Sequence, residues 1–332
     1  MRSKKQRLDP YPPLFCLFLN KTRALEKGTV IKSTGSRFTV KVPDGTVVVC
    51  SIPGKFRTRG IRATNPVAVG DRVEFDRDGD SGSGIITTIE ERTNYIIRRS
   101  SKLSREYQLL ACNIDVAWLI VTLAFPKTFT AFIDRFLVSS EAYRIPVILL
   151  FNKTDLYREE EMAEMEELTA VYEGAGYRTL SMSLQTREGL EEVRQGMKGK
   201  VNVVAGNSGV GKSTLINLLD PGYRLKTADI SDYHRAGKHT TTFAEMFELK
   251  GGIRIIDTPG IRGFGTIDIE KKELFHFFPE IFRASKRCKY HNCLHVNEPG
   301  CGVKAEVKEG TISGSRYYNY LAILEDEGGK YR

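Results

Sequence analysis

The chain has 332 residues, of which 41% are hydrophobic and 27% charged, with a formal net charge of +9. This length accommodates two or three domains and a sizeable core, and the charge excess favours an anionic partner, a nucleic acid first, without specifying a fold. No apolar run approaches the roughly 18–20 residues needed to cross a bilayer, so a helical membrane span is excluded and a cytoplasmic protein without membrane contact is expected.

Residues 1–24 begin basic and turn briefly apolar. The apolar stretch Leu14 to Leu19 is shorter than the roughly 7–15 residues of a signal-peptide core, and Pro12 and Pro13 precede it. A disordered or loosely attached extension is expected, with a secretory signal as the less favoured alternative. Of the cysteines, Cys16, Cys50 and Cys112 are scattered while Cys288, Cys293 and Cys301 cluster. A tight Cys/His cluster in an intracellular chain suggests metal rather than disulfides.

Residues 28–98 read as all-β. Short β-branched segments ("GTVIKSTGSRFTVKV", "TVVVCSI", "DRVEFDR", "GIITTIEER") are parted by turns such as Pro43-Asp44-Gly45 and Asp78-Gly79-Asp80. A small closed barrel of the OB kind suits this pattern because closure removes exposed edges; an SH3-like barrel suits it nearly as well. The division expected is 25–100 for the barrel, 101–268 for a nucleotide-binding domain and 269–332 for a C-terminal domain.

From about residue 112 the pattern changes to near-continuous apolar strands, "IDVAWLIVTLA", "IPVILLFN", "TLSMS", "VNVVAG" and "GIRIIDTPG". Strands buried on both faces look like this. Helical stretches such as "AFIDRFLVSSEAYR" and "EEEMAEMEELTAVYEGAG" lie between them, which predicts a parallel α/β sheet.

Two of these strands end in nucleotide motifs. Asn152-Lys153-x-Asp155 closes "IPVILLFN". The Asp155 carboxylate can accept from guanine N1–H and the 2-amino group, donors that adenine lacks. Sites built on such hydrogen bonds discriminate by roughly 10⁴–10⁵. Lys153 would pack its stem over the base and Asn152 would brace neighbouring loops. Ser183-Leu184 stands where GTPases carry a Ser-Ala loop beneath the base, with the Ala absent. Next, Gly206-Asn207-Ser208-Gly209-Val210-Gly211-Lys212-Ser213 follows "VNVVA" and opens "STLINLL" with Thr214, the strand-to-helix context of a phosphate loop. Its glycines let main-chain N–H groups surround phosphates at a helix N-terminus. Lys212 would reach the β- and γ-phosphates and Ser213 would bind Mg²⁺.

Asp257-Thr258-Pro259-Gly260 follows "IRIID". Asp257 would hold Mg²⁺ through water, and the Gly260 N–H can meet a γ-phosphate. Between loop and D-x-x-G lies "RAGKHTTTFAEMF", where Thr240, Thr241 and Thr242 compete for the magnesium role and Thr241 is favoured. Ile261 stands where many GTPases carry a water-orienting Gln, so slow unassisted turnover is expected, ~10⁻⁴ to 10⁻² s⁻¹. His239 is the best internal replacement, since imidazole can hold water or accept its proton; a partner-supplied group is the other option.

The motif order is thus base reader, phosphate loop, D-x-x-G, the reverse of ordinary GTPases at its first step. A domain tolerates such a circular permutation because chain termini often lie close together, and "EEVRQGMKGK" would join the old ends. The chain leaving D-x-x-G then runs directly into the C-terminal domain, a candidate link from γ-phosphate to a partner-binding surface.

Cys288-x₄-Cys293-x-His295-x₅-Cys301 offers three thiolates and one imidazole, a set suited to tetrahedral Zn²⁺ with no open position, hence a structural site. His291 rivals His295 on spacing. The flanking Lys286, Arg287, Lys289 and Lys304 suggest contact with an RNA backbone.

With "NKTD", "GNSGVGKSTLIN", "GKHTTT", "DTPGIRGF", "CKYHNCLHVNEPGC" and "RYYNYLAIL", the sequence over about residues 25–327 resembles the circularly permuted GTPases of the RsgA (YjeQ) family. The resemblance implies an OB barrel and a helical zinc domain flanking a GTPase, contact with ribosomal RNA, and GTP hydrolysis stimulated by the small ribosomal subunit during its late maturation. It implies Cys288, Cys293, His295 and Cys301 as zinc ligands and His239 as the switch histidine; a monomer acting with GTP and GDP is expected. An RNA-binding assembly protein with a non-hydrolysing guanine-nucleotide site is the alternative, kept open by Ile261 and opposed by Lys212, Ser213 and Asp257.

Overall fold

The computed structural model describes residues 25–53, 66–78, 82–99, 107–223, 244–257 and 269–326. The extension 1–24 lies outside the described residues. The chain divides into two compact units: residues 1–113 with 241–247 and 256–259, and residues 114–240 with 248–255 and 260–332.

The first unit contains β1 (Glu26–Ser33), β2 (Phe38–Lys41), β3 (Val47–Ser51), β4 (Arg72–Arg77) and β5 (Gly84–Ile89). Their order is β1-β2-β3-β5-β4, and β1 also pairs with β4. Strands β3 and β5 run parallel, whereas β1–β2, β2–β3, β4–β5 and β1–β4 are antiparallel. This closed five-strand Greek key is an OB-like barrel, which decides between the two barrels that the pattern alone allows.

Alternation along the strands fills the barrel: Phe38 and Val40 on β2, Val48 and Cys50 on β3, and Val73 and Phe75 on β4 face inward with Val30, Val67 and Ile86. Each large aliphatic or aromatic side chain so buried contributes about 1.5–3 kcal/mol. Strand β1 pairs with β4 through Glu26 to Thr29 and with β2 from Thr29 onward, so it must coil sharply. Gly28 permits this, since a Cβ there would lie 2.4 Å from Val40 Cγ1 and 2.9 Å from the Lys41 carbonyl oxygen.

An antiparallel pair, β6 (Tyr95–Arg99) and β7 (Tyr107–Cys112), also belongs to the first unit. The boundary expected at residue 100/101 falls between these two strands. A buried ion pair ties the β7 end to the barrel. Arg92 donates to both Asp71 carboxylate oxygens at 2.6 and 2.8 Å, and the Ala68 amide and Cys112 thiol also donate to Asp71.

The second unit alternates β8 (Val116–Val121), α1 (Thr130–Tyr143), β9 (Val147–Asn152), α2 (Glu159–Ala175), β10 (Arg178–Met182), α3 (Leu190–Met197), β11 (Val201–Ala205) and α4 (Lys212–Leu219), and its residues 248–255 carry the end of β12 (Glu245–Leu249) and the start of β13 (Ile253–Asp257). Strands β10-β9-β8-β11-β13 are neighbours in that order, and each of these pairings is parallel. The C-terminal ends of β8, β9 and β11 therefore open on one edge of the sheet. Every residue of β8 and β9 is buried, as expected for strands covered on both faces. Trp118 fills the centre and donates its indole N–H to Asn202 Oδ1 at 2.9 Å.

The same unit includes a helical module: a 3₁₀ turn (Lys271–Phe277), α5 (Pro279–Ser285), α6 (Gly302–Lys308) and α7 (Gly314–Glu325). Leu274, Phe278, Ile281, Val303, Ile312, Tyr320 and Leu324 form its core together with Val138 of α1. A buried polar network fastens it further. Arg316 of α7 donates to Glu280 of α5 at 2.8 and 3.0 Å and to Asp134 of α1 at 2.6 Å. Asp134 also accepts from Asn319 at 2.6 Å and from Tyr172 of α2 at 3.0 Å. Arg283 donates to the carbonyl of Gly174 at 3.1 Å, near the C-terminus of α2, where helical carbonyls lack internal partners.

Candidate functional site

The nucleotide motifs of the second unit meet at the C-terminal edge of its parallel sheet. Residues 206–211 leave β11 and enter α4, with Gly206, Gly209 and Gly211 at φ of 139°, 84° and 109°. At Gly211 a Cβ would lie 2.5 Å from Asn152 Nδ2 and 3.0 Å from Leu184 Cδ1, so only glycine lets the loop and the base-reading segment approach this closely. Asn152 is 1% exposed, and its Nδ2 donates to the Val210 carbonyl at 2.7 Å. The Lys212 ammonium lies back on its own loop, donating to the carbonyls of Gly206 at 2.8 Å and Asn207 at 2.6 Å. Phosphate oxygens can replace these carbonyl acceptors.

Lys153 has left-handed backbone angles (φ 69°), and its ammonium donates to the Phe125 carbonyl after β8. Asp155 accepts a 2.6 Å bond from the Ser183 hydroxyl, which in turn accepts from the Thr186 amide at 3.1 Å. Thr154 donates to the Met182 carbonyl at 3.2 Å, joining this segment to the end of β10. The carboxylate that would read a base is thus held by a buried hydroxyl on the neighbouring strand end. The tips of β8, β9, β10 and β11 all supply parts of one site.

Two contributors carry no motif in the sequence. Tyr157 donates to the Asn152 carbonyl at 2.7 Å and accepts from the Leu123 amide at 3.0 Å, stitching β8 to β9; burial pushes its phenol up to about 12. Phe125 acts through its carbonyl. The only sequence signal for it is Phe-Pro directly after an apolar strand. Asp257 closes β13. His239, Thr240, Thr241, Thr242, Gly260 and Ile261 lie outside the described residues. Ser213 and Thr214 occupy the first turn of α4, where N–H groups are unpaired within the helix.

The second cluster lies in the helical module. One ligand atom each from Cys288, Cys293, His295 and Cys301 falls within 4.8 Å of all the others. Cys288 Sγ and Cys301 Sγ are 3.9 Å apart, and each is 3.5 Å from His295 Nδ1. Four ligands about 2.3 Å from a central ion at tetrahedral corners would be roughly 3.8 Å apart, so the cage fits a zinc-sized cation. Main-chain amides of Gly302 and Lys304 donate to the sulfurs of Cys288 and Cys301 at 3.3 and 3.5 Å. Burial pushes the Cys293 thiol up to about 12, a cost that a dication at the centre would reverse.

His291, the rival ligand on spacing, is exposed and outside the cluster. The His295 ring is held edge-on by Phe275, with centroids 5.2 Å apart. Glu298 organises the loop, accepting from the amides of Leu294, Val296 and Asn297 at 2.8, 2.9 and 3.1 Å. Burial pushes its carboxyl up, but these amide bonds outweigh that and hold it below the usual carboxylate range.

A parallel sheet whose phosphate loop follows the base reader in sequence, yet touches it through Asn152 and Val210, defines a circularly permuted P-loop GTPase. Residues 27–86 match the family model described as the RsgA N-terminal domain, and residues 89–267 match that described as RsgA GTPase. The chain is 55% identical to the Small ribosomal subunit biogenesis GTPase RsgA of Bacteroides fragilis, over 92% of this chain and 99% of that protein. It is 50% identical to the protein of the same name from Christiangramia forsetii, over 92% and 98%. Among solved structures, YjeQ from Thermotoga maritima matches with a TM-score of 0.74 and 34% identity, covering 90% of this chain and 97% of that one. YloQ, described as a circularly permuted GTPase, matches at 0.72 and 30%, covering 93% and 96%. The chain belongs to the RsgA GTPase family and is a GTP hydrolase.

Proposed function

We propose that this GTPase binds the small ribosomal subunit through its rRNA and hydrolyses GTP in a subunit-stimulated way, assisting late maturation of that subunit. The observation that carries the reading is 55% identity, across 92% of the chain, to a relative named for small-subunit biogenesis. The net charge of +9 and the exposed Lys286, Arg287, Lys289 and Lys304 around the Cys/His cluster support a polyanionic partner. The setting is the cytoplasm, and the protein acts as a monomer.

In this reading Asp155, oriented by Ser183, accepts from guanine, while Lys153 covers the base and Asn152 braces the phosphate loop. Main-chain N–H groups from Gly206 to Thr214 surround the phosphates. Lys212 exchanges its carbonyl acceptors for β- and γ-phosphate oxygens. Ser213, Thr241 and Asp257 hold Mg²⁺, which offsets phosphate charge when bound. The Gly260 N–H meets the γ-phosphate. His239 holds the attacking water in place of the side chain that Ile261 cannot supply, and hydrolysis is slow until the small subunit stimulates it. Zn²⁺ in the Cys288, Cys293, His295 and Cys301 cage is structural, because four protein ligands leave no open position.

Hydrolysis of GTP measured with and without purified small subunits tests the proposal. A large rise in turnover with small subunits, absent with large subunits, is expected. Turnover indifferent to small subunits would overturn it.

A further inference from the structure

A group of cations sits at the opposite edge of the same sheet. Arg194 lies on α3, Lys198 and Lys200 on the turn that follows it, Lys250 on the hairpin between β12 and β13, and Arg254 on β13. The stems of Arg194, Gln195, Lys198 and Lys250, with Gly251 and Ile253, line a shallow hollow of about 140 Å³, so the charged heads stand around it rather than inside it. The phosphate loop is far away. Strand β11, five residues long, separates Lys200 from Gly206, six steps that span roughly 20 Å at about 3.3 Å per residue.

The two guanidinium groups are already fixed. Arg194 donates to the carbonyls of Leu219 and Leu218 at 3.0 and 3.1 Å, and Arg254 donates to the Gly199 carbonyl at 2.9 Å. The three ammonium groups are exposed, and among the described residues none has a carboxylate partner. The acidic groups nearby are engaged elsewhere. Glu191 bridges Arg194 at 3.3 Å, Glu192 bridges Arg178, and Asp220 accepts from the amides of Gly222 and Lys250. Gly199, Gly251 and Gly252 all have positive φ and open space where a Cβ would stand, so a ligand can reach bare backbone.

A solvated face ordinarily mixes both signs. Here three ammonium groups without a carboxylate partner stand around one concave surface, and the nearby carboxylates are engaged by other groups, which leaves local positive potential. We propose that the cations around this hollow form a second anion site that grips the phosphodiester backbone of RNA. Lysine ammonium groups contact phosphates without reading bases, so the site contributes affinity and orientation rather than sequence choice. The permutation itself builds it: the α3–β11 turn bearing Lys198 and Lys200 joins the base-reading half of the fold to the phosphate-binding half. The identity of the polyanion as RNA rests on the ribosomal reading above.

The test uses the full chain and a variant carrying Lys198→Ala, Lys200→Ala and Lys250→Ala. Affinity for a short fluorescein-labelled RNA is measured by anisotropy across a KCl series. The slope of log K against log[KCl] should shrink by roughly 0.7–0.9 for each phosphate no longer neutralised, with GTP hydrolysis in the absence of subunits unchanged. The matching triple Lys→Arg variant should keep the wild-type slope, which separates the removal of charge from a failure to fold. An unaltered slope in the alanine variant, or a wild-type chain that does not bind RNA, would overturn the site. Polyglutamate is the counter-probe: an equal drop in polyglutamate binding would point to an acidic protein and also overturn it. The two proposals fail separately. Wild-type hydrolysis stimulated by small subunits with an unaltered slope removes only this site, whereas an altered slope without stimulation removes only the ribosomal reading.

Discussion

Asn152 donates its side-chain amide to the main-chain carbonyl of Val210 at 2.7 Å, so the residue that opens the base-reading motif also holds the phosphate loop. Both are buried. Asn152→Ala leaves the Val210 carbonyl without this donor, at a cost of about 1–3 kcal/mol. Affinity for a fluorescent GDP should fall by roughly 5- to 150-fold, since 1.4 kcal/mol is about tenfold. Gly211→Ala should weaken binding too, because its new Cβ would meet Asn152 Nδ2 at 2.5 Å. In the Asn152→Ala background that clash is gone, so the two losses should be less than additive in a double-mutant cycle.

Asp155 is positioned by the Ser183 hydroxyl at 2.6 Å. If its carboxylate accepts from both N1–H and the 2-amino group of guanine, wild-type protein should prefer GDP to IDP, which lacks the 2-amino group. Hydrogen bonds to charged groups contribute about 1.5–3 kcal/mol each. Asp155→Ala should therefore weaken GDP more than IDP and bring the two affinities together, as read by competition titration. Ser183→Ala should do the same to a smaller extent, by freeing the carboxylate to rotate. An unchanged GDP-to-IDP ratio in Asp155→Ala would remove Asp155 from base recognition.

Arg316 is 1% exposed and is the cation for two buried carboxylates, Asp134 and Glu280. Arg316→Met strands both acids, a loss that typically costs about 3–5 kcal/mol. Adding Asp134→Asn and Glu280→Gln should recover part of the stability, because it removes the buried unpaired charge while leaving buried amide N–H groups without acceptors. Trp118 is the sole tryptophan of the chain and is fully buried in the second unit. Its fluorescence during urea unfolding reads the effect on that unit.

The legible parts of the fold and site were those fixed by local pattern. Alternation in "FTVKV" and "TVVVCSI" predicts one buried face per strand, and Phe38, Val40, Val48 and Cys50 occupy it. The unbroken apolar runs of β8 and β9 predict strands covered on both faces. The Cys/His spacing brings out the four residues of the cage, although choosing His295 over His291 required three dimensions or a family likeness. What pattern does not reveal is long-range pairing of single side chains. Nothing in "RYYNYLAIL" announces that Arg316 answers Asp134, 182 residues earlier in the chain. The same holds for the Phe125 carbonyl, since a main-chain acceptor has no residue type to read. The closed OB barrel was expected from the strand pattern, but what separates it from the SH3-like alternative is the parallel meeting of β3 and β5, a pairing set by the whole barrel.

The cage loop depends on Glu298 as much as on its ligands. Its carboxylate gathers the amides of Leu294, Val296 and Asn297, which flank His295 on both sides and fix that residue at φ 62°, a conformation unfavourable for a side-chain-bearing residue. Glu298→Gln keeps the volume but leaves one acceptor oxygen instead of two, so part of this amide set is released and the His295 ring loses its preset aim. Groups that orient metal ligands typically contribute 10- to 100-fold in metal affinity, and a loss of roughly that size is expected in competition against a chromogenic chelator. Cys293→Ser should go further and abolish stoichiometric zinc in purified protein. Full zinc retention in Cys293→Ser would rule out the four-ligand cage, whereas wild-type affinity in Glu298→Gln would show only that the loop holds its shape without the carboxylate.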